Sequence, residues 1–313
     1  MPSVSTISRP SLEGLASHVT AGDKTRMSVA LRVSVACLLA LPGASSSFAQ
    51  TLPDNEQRLQ AALGKLQPQR PGVVDAYVIV AALDADAVFN REAREAGRVL
   101  AKRFDAEGRT LVLAHDEGAD KADAETSPIS LPEALDSVAA KMNPAEDVLV
   151  LYTTSHGSPG AGLNFKDPAY GVGVIAPNQL AAMLDHAGFK NRLIILQACF
   201  SGQFVPVLKG PSTIIATAAA DDRTSFGCQA GNDWTYFGDA LINHAFRQPL
   251  PLDVQFRRAW ALIAAAESRD NLTPSNPQFN IGAATSKWLN ALDQREPAAT
   301  VPPVGQTVLG LGK

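Results

Sequence analysis

Five apolar runs of strand length, the first four separated from one another by helical stretches, constrain this chain more than any other feature. The runs cover residues 77–83, 109–114, 147–154, 192–197 and 213–219, and helical spacing of apolar residues fills 87–104, 131–142, 177–186, 236–246 and 253–269. None of the runs alternates apolar with polar residues, so each strand must be covered on both faces. Pro132 falls where a helix's first turn accepts it, and Gly188 sits where a helix should stop. Alternation of this kind predicts a mostly parallel sheet between two helical layers, in one domain over residues 73–295. The polar, Pro-rich residues 50–72 read as a linker or a short N-terminal helix, and the Pro- and Gly-rich residues 296–313 as a flexible tail.

Residues 1–49 have the make-up of an address. Lys24-Thr25-Arg26 precedes a mostly apolar run over 27–41, Pro42-Gly43 breaks it, and Ser47 and Ala49 are the small residues of a cleavage after Ala49. The expectation is a secretory signal and an exported protein, periplasmic or extracellular. No stretch reaches the roughly 18 apolar residues of a stable membrane span. The formal charge of −4 gives no basic footprint for a nucleic acid, and loss of the leader makes the chain more acidic. Of three cysteines only Cys199 and Cys228 remain after cleavage, too few for a disulfide framework.

A parallel sheet presents its chemistry at the carboxyl ends of its strands. The third run leads into Ser155-His156-Gly157 and the fourth into Ala198-Cys199-Phe200-Ser201-Gly202. If these strands are neighbours, a thiol and an imidazole share one edge of the sheet. A free thiol with a pKa near 8.5 is mostly protonated at neutral pH, and an adjacent imidazole both activates it and later protonates a leaving amine. Gly157 leaves its amide open to a substrate carbonyl, so the Gly157 and Cys199 N–H groups are the candidate oxyanion hole. His115, His186 and His244 are scattered, with no H-E-x-x-H, and the G-x-S-x-G elbow is absent. No metal or cofactor is expected, and the α/β serine hydrolases are excluded although Ser158 and Ser201 flank the site.

Tyr152-Thr153-Thr154-Ser155-His156-Gly157 and Gln197-Ala198-Cys199-Phe200-Ser201-Gly202 resemble the His-Gly and Ala-Cys-x-Ser-Gly motifs of the legumain-type (asparaginyl endopeptidase) cysteine peptidases, in particular their bacterial branch. Ala216–Cys228 and Thr235-Tyr236-Phe237-Gly238-Asp239 resemble further stretches of that family, so the likeness covers roughly Asp75 to Phe246. The resemblance implies a caspase-like three-layer α/β/α sandwich, peptide-bond hydrolysis through a Cys199 acyl-enzyme with His156, and a peptide or protein substrate. It implies Gln197, Ser225 and Asp239 as substrate-binding residues. The family's third catalytic member falls near Asp86, with Asp84 close by; either would orient the imidazole, or each is a solvated loop acid. Two departures stand out: Gln197 replaces the family's acidic residue, and Val88 falls at the position of its specificity arginine. Asp239 without that arginine favours a basic substrate side chain, unless it is simply a helix-start acid. Cys228 reads as structural, and a bond to Cys199 would abolish activity. The same dyad would also serve a transpeptidase, and a peptide-binding protein that has lost turnover is the competing class.

Overall fold

The computed structural model of the chain describes residues 46–295 and 301–311. The expected leader lies outside the described residues as far as residue 45; residues 46–49 open the first helix, α1 (Ser46–Lys65). After it come β1 (Ala76–Ala82), α2 (Ala87–Arg103), β2 (Thr110–Leu113), α3 (Ser130–Ala139) and β3 (Val148–Thr154). A small excursion follows, β4 (Gly157–Ser158), β5 (Gly162–Asp167) and β6 (Gly171–Ile175), before α4 (Pro177–His186) and β7 (Asn191–Gln197). The remainder is a 3-10 turn (Ser201–Phe204), α5 (Val205–Leu208), β8 (Thr213–Thr217), α6 (Tyr236–Gly238), α7 (Leu252–Arg269), β9 (Gln278–Ile281) and α8 (Ser286–Asp293).

The main sheet runs β2-β1-β3-β7-β8-β9, parallel throughout except for β9, which pairs antiparallel with β8. Alternate residues of each central strand feed two separate cores. Val78, Val80, Val150, Tyr152 and Ile195 meet Phe89 and Leu100 of α2 and Phe256 and Ile263 of α7. Tyr77, Ile79, Leu149, Leu151 and Ile194 meet Leu59 and Leu63 of α1, Leu131 and Leu135 of α3, and Leu180 and Leu184 of α4. Burial of β1 and β3 is complete on both faces, which is why neither shows an alternating pattern. Each fully buried Val, Leu or Ile side chain contributes roughly 1.5–3 kcal/mol. The architecture is the mostly parallel, three-layer α/β/α arrangement that the sequence calls for.

Three elements differ from expectation. Residues 236–246 do not form one α-helix: α6 lasts a single turn and residues 239–245 continue as π-helix. That wider turn stacks Asp239 against His244, five residues on, with Oδ1 and Nε2 3.3 Å apart. Residues 301–311 are not loose. The Val304 carbonyl accepts hydrogen bonds from the Trp234 indole and the Asn243 amide, and Leu309 is buried in the core. The β4–β5–β6 sheet and β9 were not foreseen, because their short, polar or exposed strands carry no apolar run.

Candidate active site

The strands that end in His156 and Cys199 are adjacent. β3 and β7 pair in parallel with Thr154 opposite Gln197, and each candidate lies two residues beyond that pair. The edge is held by the Ser155 amide, which donates to the Gln197 carbonyl at 3.0 Å. Approach is closest at Gly157, where an added Cβ would lie 1.9 Å from the Cys199 carbonyl oxygen. Only glycine fits there. The Asn164 amide donates to the His156 carbonyl at 2.9 Å, which makes 156/164 a hydrogen-bonded pair of the small sheet. Gly157, opposite Leu163, therefore takes the non-bonded position, and its N–H points away from β5.

The turn after Cys199 is constrained. Phe200 has φ 57° and ψ 16°, a left-handed conformation costing a non-glycine residue about 1–3 kcal/mol. Its amide donates to the Arg223 carbonyl at 2.7 Å, and the Ala219 amide donates to Ser201 Oγ at 3.3 Å, which together hold the turn. Gly202 packs on the backbone of the same loop, where a Cβ would come 2.5 Å from the Asp221 nitrogen. The loop brings Ser225 to the thiol: its amide donates to Sγ at 3.3 Å and its hydroxyl lies 3.8 Å away.

On the other side, Asp86 Oδ2 lies 3.4 Å from His156 Nε2 and its Oδ1 accepts from Lys166 Nζ at 2.9 Å. Asp86 occupies the N-cap position of α2, yet its side chain caps nothing. A capping carboxylate there would stabilise the helix by about 1 kcal/mol, so this one is diverted to the imidazole and the lysine. Hydrogen bonding to Lys166, and then to His156, holds the Asp86 carboxyl below its usual range despite partial burial. Asp84 has another duty, since its Oδ1 accepts the Asp86 amide and shapes the turn. Phe89 of α2 meets the imidazole edge-on, ring centroids 4.9 Å apart. Nε2 is thus the ring nitrogen that faces Asp86.

Two expected substrate contacts do not survive. The Gln197 side chain is fully buried; its Oε1 accepts from Thr154 Oγ1 and the Ser155 amide, so it ties the two strand ends together. Asp239 is fully buried as well, and its carboxylate is filled by Asn243, Thr307 Oγ1 and the Val308 amide. Burial alone would raise that carboxyl, but His244, Thr307, Asn243 and Val308 together hold it below its ordinary value. Asp239 is thus occupied within the fold. Val88 lies in the core, so no basic group stands at its position. Cys228 is a free, partly buried thiol pushed up to about 12, first by burial and then by Cys199 and Glu92. Beneath the site Glu92 is buried, accepting from Tyr152 Oη, the Thr235 amide and Thr235 Oγ1. Lys166 is the site residue that the sequence reading missed; it stands on a strand with no apolar signal. Among the described residues, no group of three or more His, Cys, Asp or Glu is placed to hold a metal ion, and no helix is long and apolar enough to cross a membrane.

Fold and motifs together resemble those of legumain-type cysteine endopeptidases. Residues 133–272 match the model of the Peptidase C13 family, a stretch that includes His156, Gly157, Cys199 and Ser225 and leaves out Asp86. Among solved structures the chain is similar to caspase-1 from Spodoptera frugiperda, at 12% identity and a TM-score of 0.44, over 69% of this chain and 93% of that one. No curated protein sequence matches the chain.

Proposed function

We propose that the protein is an exported endopeptidase in which Cys199 and His156 form the catalytic dyad and Asp86 orients the imidazole. The observation that carries this reading is the Thr154–Gln197 register pair, from which both reactive side chains stand two residues downstream. Cys199 Sγ attacks the scissile carbonyl carbon, and the resulting oxyanion accepts from the Gly157 and Cys199 amides. His156 takes the thiol proton and passes it to the leaving amine, so the C–N bond breaks and a thioester remains. Water then attacks the thioester; His156 takes its proton and returns it to sulfur as the carboxylic acid product leaves. An amine in place of water would give transpeptidation with the same groups. The Asp86 carboxylate fixes the ring and balances the imidazolium, as the third member of a triad does.

Export rests on the charged, apolar and small-residue blocks over 24–49, and is tested by N-terminal sequencing of protein recovered outside the cytoplasm: a start at Gln50 is expected. The dyad is tested with a thiol-reactive peptide probe. Wild type should label at Cys199 and Cys199→Ala should neither label nor cleave. Labelling without turnover on any peptide would favour the binding-protein alternative. Substrate residue preference is open to a panel of Asn, Asp, Arg and Lys peptides.

A further inference from the structure

Lys166 is tied to the site through both its backbone and its side chain. Its amide donates to the Leu83 carbonyl at 2.9 Å and its carbonyl accepts from Ala85 at 3.1 Å, a parallel bridge from β5 to the residues just before Asp86. Two residues earlier on the same strand, Asn164 donates its amide to the His156 carbonyl and accepts the Ser155 hydroxyl. One strand thus grips both the imidazole loop and the turn that carries its carboxylate partner. From that strand the ammonium reaches Asp86 Oδ1, leaving Oδ2 on the ring.

We propose that Lys166 is a positioning residue, whose ammonium occupies one oxygen of Asp86 and so keeps the other on His156. The alternative resting place for that carboxylate is close by. Asp86 is the N-cap of α2, and an unrestrained N-cap aspartate turns to the first free amides of its helix. Lys166 decides this competition in favour of the imidazole. The inference rests on the dyad reading above. The charged and titratable groups around the site are Asp86 and Asp84 after β1, Lys166 on β5, Cys199 after β7 with Cys228 near it, and Glu92 buried on α2, the helix whose Phe89 meets the ring.

The test compares Lys166→Met, Lys166→Arg, Asp86→Asn and the Lys166→Met/Asp86→Asn double variant, using hydrolysis of fluorescein-labelled casein. A second readout is the pH profile of Cys199 alkylation by iodoacetamide, followed by mass spectrometry of the Cys199 peptide. Lys166→Met should slow casein hydrolysis by roughly two- to fivefold, the range an exposed ion pair supports, and Lys166→Arg should recover most of the loss. The same change should cost almost nothing once Asp86 is already Asn, because a residue that acts through another is silent in its absence. The acid limb of the alkylation profile should move to lower pH in Asp86→Asn, where an anion is lost, and Lys166→Met should raise it less in the wild-type background than in the Asp86→Asn background, because in the former the withdrawn carboxylate offsets the lost cation. Thermal melting of Lys166→Met should be unchanged or raised, since the carboxylate is released to cap α2. Equal losses in both backgrounds, or equal profile shifts on Lys166→Met in both backgrounds, overturn the proposal. Casein hydrolysis that survives Cys199→Ala would instead sink the dyad, a distinct failure.

Discussion

Replacing Gly157 with alanine is the sharpest single test of the site, because one methyl group collides with the backbone of Cys199, the proposed nucleophile. The added Cβ would lie 1.9 Å from the Cys199 carbonyl oxygen, 2.9 Å from its carbon and 3.2 Å from Ala198 Cβ. Gly157 does not use the left-handed region, so the conflict is steric and not conformational. The obstacle is backbone, which cannot swing aside as a flexible side chain would, and β3 and β7 must part by well over an ångström. Overpacking of this kind costs about 1–3 kcal/mol, or roughly 2–12 °C of melting temperature for a domain of this size. The larger effect is on rate, since the displaced group is the proposed oxyanion donor. Loss of one such donor costs about 2.7–4 kcal/mol, or 10²–10³ in kcat. The assay pairs casein hydrolysis with iodoacetamide labelling of Cys199, which reports whether the thiol remains accessible. A large loss of turnover with labelling intact is expected. Turnover within about threefold of wild type at an unchanged melting temperature would refute both the close approach and the assignment of that amide.

Two further predictions separate structure from chemistry. Burial raises the Glu92 carboxyl above its usual value of 4.5, against the hydrogen bonds of Tyr152 and Thr235. The native state therefore binds that proton more tightly than the unfolded chain, and the contribution of Glu92 to stability falls as pH rises from 4.5 through its native pKa. Melting of wild type minus Glu92→Gln across pH 4–8 should decline with pH; a flat difference would show that folding does not raise the Glu92 carboxyl. Asp239→Ala strands the donors on Asn243, Thr307 and Val308. It should cost about 3–5 kcal/mol and open residues 301–311 to limited proteolysis. Preference across the four-peptide panel should not change, and a changed preference would return Asp239 to the substrate pocket.

The parallel core was legible because its strands are buried on both faces and read as unbroken apolar runs; Pro177–His186 was bounded to the residue by its proline and the glycine beyond. That the strands leading to His156 and Cys199 are neighbours was legible for a topological reason, as residues past the ends of adjacent parallel strands share an edge. What escaped was set by long-range partners. Asp239 looks like a pocket acid until residues 304–308 are seen folded over it, and nothing near it in sequence announces them. Gln197 looks like a substrate contact until the side chain is traced inward to Thr154. Lys166 stands on a strand whose partners are a two-residue neighbour and an exposed edge, so no periodicity marks it. Asp86 was visible as an acid near the site, but the unused helix cap that shows its diversion exists only in three dimensions.

The Thr154–Gln197 pairing also sets what this scaffold tolerates. Side chains swap faces at every step along a strand, so inserting or deleting one residue just before either reactive group would turn it to the opposite side of the layer. Strand length is accordingly frozen there. The crossover that carries α4 between the two strands is under no such restriction, and surplus length costs little closure entropy. New recognition loops are best grafted into that stretch, beyond β6, where lineage or design can rewrite selectivity while the proposed catalytic pair stays in register.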